Sequence, residues 1–400
     1  MKYVNIGQVT HNLDNKRIPL NASERARRSK AKLYPYIGAN NVLDYIDDYI
    51  FDGKILCIAE DGGNWGKNEV CANIYNEKCW VNNHAHVLTA KHQVVLEYLA
   101  SYLNYANLNP HITGTTRGKL TRKKLDSIEI PLPPLDDQKR IAHLLGKVEG
   151  LIARRKAHLQ HLDDLLKSVF LEMFGDPVRN EKGWETASLK TLTRKIGSGA
   201  TPSGGNESYK TEGISLIRSM NVHDAEFLYK DLAYIDETQA QKLKNVVVEE
   251  NDVLLNITGA SVCRCAIVPS DVLPARVNQH VAIIRTKKEF LNPQYLAALL
   301  IAPSYKQQLL KLAGKNGATR EALTKGQLEH LVIPFPSISL QNQFAAIVEK
   351  VEGIKFRYQQ SLAALETLYG ALSQKAFKGE LDLSRVPLIA EETERPETVA

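Results

Sequence analysis

Two stretches of this chain carry one apolar pattern and predict the same element twice. Apolar residues recur every seventh position at Leu145, Ile152, Leu159, Leu166 and Met173. A second row reads Ile141, Val148, Arg155, Leu162 and Val169, so nine of the ten positions are apolar. That is a coiled-coil seam on one long helix rather than a generic surface stripe. The rows Val348, Lys355, Leu362, Tyr369, Ala376 and Phe344, Val351, Tyr358, Leu365, Leu372 predict a second long helix with a weaker seam. Each helix of roughly 38 residues would run about 55 Å. A seam of that length needs a partner, and the other helix supplies it. In a tandem repeat the simplest closed arrangement is antiparallel.

The stretch 114–150 matches 317–353 without gaps at an offset of 203, pairing Arg117 with Arg320, Leu125 with Leu328, Pro131 with Pro334, Pro133 with Pro336, Gln138 with Gln341 and Gly150 with Gly353. This points to a duplicated unit. Short strand-like runs (Lys54–Ala59, Trp80–Val81, Ala85–Leu88; then Val253–Ile257, Ala266–Val268, His280–Ile284) are split by Gly- and Asn-rich turns such as Glu60 to Gly66. The expected fold class is α+β: two globular heads separated by two long antiparallel helices forming a coiled coil, with an internal pseudo-two-fold. The expected divisions are 1–134 for the first head, 135–177 for the first helix, 178–336 for the second head and 337–380 for the second helix. Residues 381–400 should be a polar, disordered tail. Asp136 and Ser339 are the expected helix caps, with Leu135 as a staple, and Gly175-Asp176-Pro177 the first stop.

Composition narrows the class. The 400 residues are 44% hydrophobic and 24% charged, with a net charge of +6, which permits an anionic partner without demanding one. No apolar run approaches the roughly 20 residues of a membrane helix. The N-terminus lacks an apolar signal core, so the expected location is the cytoplasm, with no membrane partner. Cys57, Cys71, Cys79, Cys263 and Cys265 have no C-x-x-C spacing and read as buried thiols. Cys263 and Cys265 are expected to face one side of a strand.

Catalytic motifs are missing. Gly62-Gly63-Asn64-Trp65-Gly66-Lys67-Asn68 has the wrong spacing for a phosphate loop and lacks its hydroxyl. Asn109-Pro110-His111 and Asn292-Pro293-Gln294-Tyr295 lack the second proline of an amino-methyltransferase motif and read as helix-start turns. Asp136-Asp137 would be a nuclease candidate, but its partner Ser339-Leu340 carries no carboxylate. No catalytic residue, metal site or cofactor is assigned to this chain. Asn82, His84 and His86 find partial partners in Asn278 and His280 at an offset of 196, and read first as a packed Asn/His pair.

The candidate contacts to a nucleic-acid backbone lie in the basic cluster Thr116, Arg117, Lys119, Arg122 and Lys123, where hydroxyl and cationic groups together suit phosphate oxygens. Its copy keeps Thr319, Arg320 and Lys325. Arg27 belongs to a second basic run, and Thr201 to a Gly-rich stretch. Arg218 and Asn221 have the right groups for base edges.

These residues resemble the specificity subunit of a Type I restriction-modification enzyme. The stretch Leu165 to Pro177 is similar to that family's central conserved region, and Ser373 to Leu381 to its C-terminal one. The Ile-Pro-x-Pro corner followed by Gln138 or Gln341 recurs in both copies, as in the family. Gly199-Ala200-Thr201-Pro202-Ser203, Ile217-Arg218-Ser219, Ile257-Thr258-Gly259-Ala260-Ser261, Val277-Asn278-Gln279-His280, Asn15 to Leu20 and Glu60-Asp61-Gly62 resemble target-recognition-domain signatures. The resemblance implies a non-catalytic subunit whose two heads each read one half of an asymmetric bipartite site on double-stranded DNA. The helices would measure the unread gap and dock two methyltransferase subunits. Those bring S-adenosylmethionine; restriction-motor subunits add ATP and Mg. Lys355 and Tyr358, which weaken the second seam, would then face partner subunits. Two other readings stay open: a structural coiled-coil scaffold, and a specificity subunit of another restriction class with a fused nuclease-methyltransferase.

Overall fold

The computed structural model describes residues 2–114, 116–201, 205–314 and 321–388. It divides into two units, Met1–Lys156 with Gln359–Ala400, and Ala157–Tyr358. Each unit therefore holds one head, part of the first long helix and part of the second. The division cuts the helices rather than falling beside them.

In the first unit, strands Thr10–Asn12, Ala85–Ala90, Lys54–Ala59 and Ala72–Asn76 follow one another in an antiparallel sheet. The central strand is buried at every position from Ile55 to Ala59. Its alternation feeds two cores, because successive side chains leave opposite faces. Leu56 and Ile58 join the core under the helix Leu96–Tyr105, whereas Ile55 and Cys57 join a second one with Ile37, Phe51 and Val87. A three-stranded sheet orders Val42–Ile46, Tyr34–Ile37 and Trp80–Val81, the last two parallel. Tyr3–Asn5 pairs with Glu129–Pro131 beside the proline corner.

The second unit repeats the plan. Thr193–Ser198, Val281–Thr286, Val253–Asn256 and Cys265–Ile267 form the antiparallel sheet. Ile214–Ile217 runs parallel to Ala275–Val277 in the other. Val253 and Leu255 enter one core and Leu254 the other. Thr186–Ser188 pairs with Val332–Pro334, at the same offset of 203 as the first corner. The mixed helix and sheet content expected from the repeat is thus present in both units.

The duplicated corner has a physical cause. Gln138 and Gln341 are fully buried, and an amide in that setting must be satisfied. Gln138 accepts from Val95 N at 2.9 Å and donates to the carbonyls of Gln93 at 3.1 Å and Pro133 at 2.9 Å. Gln341 accepts from Asn292 N at 2.8 Å and donates to Phe290 at 3.0 Å and Pro336 at 2.7 Å. Tyr98 and Tyr295 complete the motif, donating to the carbonyls of Pro131 and Pro334, each at 2.8 Å. Each long helix is thereby locked to its head.

The first long helix is Leu135–Phe174 and the second Ile338–Lys378. Within the first unit, Ile141 and Leu145 pack with Ala376 and Phe377, and Lys156 reaches Glu366 at 3.1 Å. Within the second, Phe170 stands against Phe344 with ring centroids 5.6 Å apart, and Lys355 meets Asp163 at 2.9 Å. Rising numbers on one helix meet falling numbers on the other, so the pairing is antiparallel. Leu145 is fully buried; Ile152, Leu159, Leu162, Leu166, Val348, Leu362 and Leu365 are half-buried.

Several local expectations are corrected. The helices start two residues earlier than caps at Asp136 and Ser339 would allow, at Leu135 and Ile338. Gln138 N bonds to Pro134 O at 3.0 Å and Gln341 N to Ser337 O at 3.1 Å. Asp136 and Asp137 sit in the first turn, where negative charge suits the helix dipole. Lys355 does not turn away from the first helix: its side chain is 14% exposed and holds Asp163, and Tyr358 lies by His158, ring centroids 5.6 Å apart. Cys263 is not in a strand but in a turn with φ +66, and only Cys265 lies in one. All five thiols are buried, and burial pushes those of Cys71, Cys79 and Cys263 up to about 12. Residues 381–388 belong to the first unit rather than to a loose tail. Leu381 and Leu383 cover the Tyr98 and Phe377 cluster, and Arg140 Nε bonds to Val386 O at 3.1 Å. Residues 389–400 lie outside the described residues.

Candidate nucleic-acid interface

In the first head the basic cluster becomes a hairpin strapped to the end of the central strand. Thr113 and Lys119 exchange backbone hydrogen bonds at 2.9 and 2.7 Å. Gly114 turns the loop at φ +94, where an added Cβ would sit 2.4 Å from Arg117 O. Leu120 N then bonds to Glu60 O at 2.7 Å, and Gly62 N to Gly118 O at 3.1 Å. The second head repeats the strap. Leu323 N bonds to Ile257 O at 2.8 Å, and Gly259 N to Glu321 O at 3.1 Å. Bridges Asp61–Lys119 and Thr258–Ala322 are their counterparts.

The strap brings opposite charges together. Arg117 Nη2 lies 2.7 Å from Asp61 Oδ1, and Lys119 Nζ 3.0 Å from Glu60 Oε1. Glu60 also takes Arg17 Nη1 at 2.6 Å. Burial opposes its charge, but the hydrogen bonds from Arg17 and Lys119 outweigh that and hold its carboxyl below the usual range. His86 is buried with Nδ1 2.6 Å from Asp14 Oδ2 and Nε2 2.7 Å from Leu120 O. Burial likewise opposes ionisation of Asp14, and His86 and the Val87 N–H more than offset it, so its carboxyl is also held low. Asp14, Glu60 and His86 lie close enough together to hold a metal ion. Their polar atoms, however, are already engaged by Arg17, Lys119, Val87 N and Leu120 O.

The other candidates separate by role. Thr116 is exposed on the hairpin, and Arg122 and Lys123 open the short helix Arg122–Asp126, capped by Thr121. Arg122 lies 3.6 Å from Asp126. Lys325 holds the same place in Lys325–Glu329, 3.5 Å from Glu329. Thr319 and Arg320 lie outside the described residues. Arg27 is exposed on Ala22–Arg27, while its neighbours Arg25 and Arg28 are tied to Asp44 and Asp48. Thr201 donates to Gln279 Oε1. Arg218 donates to Asp231 O and stacks over Tyr209, its Cζ 5.3 Å from the ring centre. Asn221 is fully buried and grips Arg218 N, Leu228 O and Lys230 O. It braces a turn and presents no edge to a base.

The sequence placed Glu60, Asp61 and Gln279 only within signature stretches and a turn, without the partners they hold here. The Asn/His pairs do what their repetition implied: Asn82 Oδ1 accepts from His84 N at 2.8 Å and Asn278 Oδ1 from His280 N at 3.0 Å. Beyond that the heads diverge. His84 Nδ1 sits 2.8 Å from Asp61 Oδ1, whereas His280 Nδ1 meets the Thr258 hydroxyl and its Nε2 lies 3.2 Å from Gln279 Nε2.

Comparison with known proteins agrees with this architecture. The profile of the Type I restriction modification DNA specificity domain matches residues 1–162 and 181–366. A putative type I restriction enzyme specificity subunit of Haemophilus influenzae is 27% identical over 371 residues, covering 87% of this chain and 86% of that protein. The Type I restriction enzyme EcoBI specificity subunit of Escherichia coli is 25% identical over 71% of this chain and 64% of its own length. The crystal structure of a Type-I restriction-modification system S subunit from M. genitalium superposes with a TM-score of 0.64 at 13% identity, over 94% of this chain and 96% of that one. With two matches to that domain on one duplicated fold, the chain belongs to the Type I restriction modification DNA specificity domain family, the non-catalytic DNA-recognition subunits of these systems.

Proposed function

We propose that each head reads one half of an asymmetric bipartite site on double-stranded DNA. The paired long helices set the unread gap and dock two methyltransferase subunits, which carry S-adenosylmethionine. Restriction-motor subunits with ATP and Mg complete the assembly. The observation that supports this most is the strap, which the described residues repeat in both heads on one backbone plan with different side chains. A common scaffold with unlike contact groups suits two unlike half-sites. Cationic and hydroxyl groups at Thr116, Lys119, Arg122 and Lys123 supply backbone contacts in the first head, with Lys325, Thr319, Arg320 and Thr201 in the second; Arg27 adds an arm, and Arg117 and Arg218 offer guanidinium groups to the DNA.

The test is a binding assay on the full chain with its methyltransferase partner, against a library of bipartite duplexes. A strong preference for one split sequence is expected, with affinity falling steeply as salt rises. Equal affinity for every duplex would remove the reading.

A further inference from the structure

We propose that Asp61, Arg117 and His84 form a base-reading element in the first head, and that it takes a guanine through its major-groove edge. This rests on the DNA-recognition reading above.

A side chain that serves a phosphate does so mainly through its positive charge. Arg117 instead spends Nη2 on Asp61, 2.7 Å away, yet its side chain remains 62% exposed. The carboxylate quenches much of the net charge while fixing the direction of the planar fork. What is left is an oriented set of donors, which suits a planar acceptor pair better than a diffuse field. Guanine offers such a pair in O6 and N7.

Two neighbours fix the fork further. Gly62 has φ +64, and a Cβ there would lie 3.0 Å from Arg117 Nη2 and 3.1 Å from Nε. The guanidinium therefore lies against bare backbone. His84, 38% exposed, turns Nδ1 to Asp61 at 2.8 Å. In the tautomer that donates from Nδ1 to Asp61, Nε2 is left as an acceptor. Donors from Arg117 beside an acceptor from His84 match a G·C pair, where two guanine acceptors adjoin the cytosine N4 amino group.

Among the described residues of the second head no carboxylate stands at this place, and Arg320, the counterpart of Arg117, lies outside them. Thr258 stands where Asp61 does, bonded to His280 Nδ1, and Gln279 occupies His280 Nε2. At this place a carboxylate thus marks only one of the two halves among the described residues.

The experiment uses the full chain with its methyltransferase partner. Wild-type protein is first assayed on its split site; no sequence preference there would remove the DNA-reading function itself. Given a preference, each guanine is replaced in turn by 7-deazaguanine, which lacks the N7 acceptor. One guanine in one half-site should weaken binding about tenfold. Arg117→Lys, which keeps the charge and loses the fork, should lose discrimination at that same pair, with Asp61→Asn acting in the same direction. A thermal unfolding midpoint checks that the variants are folded. If no 7-deaza substitution matters in the wild type, the inference is overturned without recourse to any variant. Uniform weakening of Arg117→Lys across all sequences, with a shallower salt slope, would overturn it in favour of a phosphate contact.

Discussion

Lys355 on the second long helix holds Asp163 on the first at 2.9 Å, with Glu352 as its second carboxylate at 2.8 Å. A seam position that pattern alone marks as a defect is a cross-helix ion pair. Burial works against its charge, and the two carboxylates more than offset that, raising the ammonium above its usual range. Asp163→Ala removes the cross-helix partner and should cost about 1 kcal/mol, a discounted value because Asp163 is 45% exposed. Lys355→Met should be neutral or slightly stabilising. Denaturation midpoints of the two variants check the sign.

Gln138 and Gln341 should respond alike to substitution. Replacing either by Ala strips an acceptor from one buried N–H and a donor from two carbonyls. Each loss should cost about 2–3 kcal/mol. The residues lie in different units, so the double variant should show the sum. Calorimetry on the three variants tests this.

The first head should weaken in acid. Asp14 and Glu60 are held below their ordinary values of 3.8 and 4.5. Groups depressed in the folded state contribute stability above their unfolded values. They lose it as pH falls through the lower folded ones. Wild-type stability should therefore drop steadily below about pH 4.5. Asp14→Asn should be less stable at neutral pH and show a shallower acid decline. Denaturation midpoints measured from pH 7 down to about pH 3 give both slopes.

The paired helices carry a separate expectation. Leu159 and Leu362 are half-buried in the seams of the second and first units. Leu159→Asp or Leu362→Asp places an unpaired charge there at a cost of about 2 kcal/mol or more, and site binding should be lost. Inserting one heptad between Ile152 and Leu159 should change the preferred gap between half-sites, read by selection on duplexes of varied spacing.

Much of the fold was legible because it repeats. The seven-residue rows and the offset of 203 need no tertiary knowledge, and both long helices follow from them. The proline corner was visible as a match, although the work of Gln138 and Gln341 was not. Only packing shows that their amides are sealed from water. The candidate interface was half legible. The hairpin cations announced themselves by charge, while Glu60 and Asp61, more than fifty positions earlier, join them only through the strap. Asn221 shows the opposite failure. Its chemistry suits adenine, but burial commits every polar atom to a local turn. Lys355 looked like an outward residue because a heptad row does not reveal the carboxylate on the facing helix.

The most direct measurement is the DNA methylome of the host with this gene intact and deleted. Recognition by two unlike heads requires one split, non-palindromic adenine-methylated motif that vanishes on deletion and returns with the wild-type gene. An unchanged methylome in a host whose partner methyltransferase is expressed would contradict it.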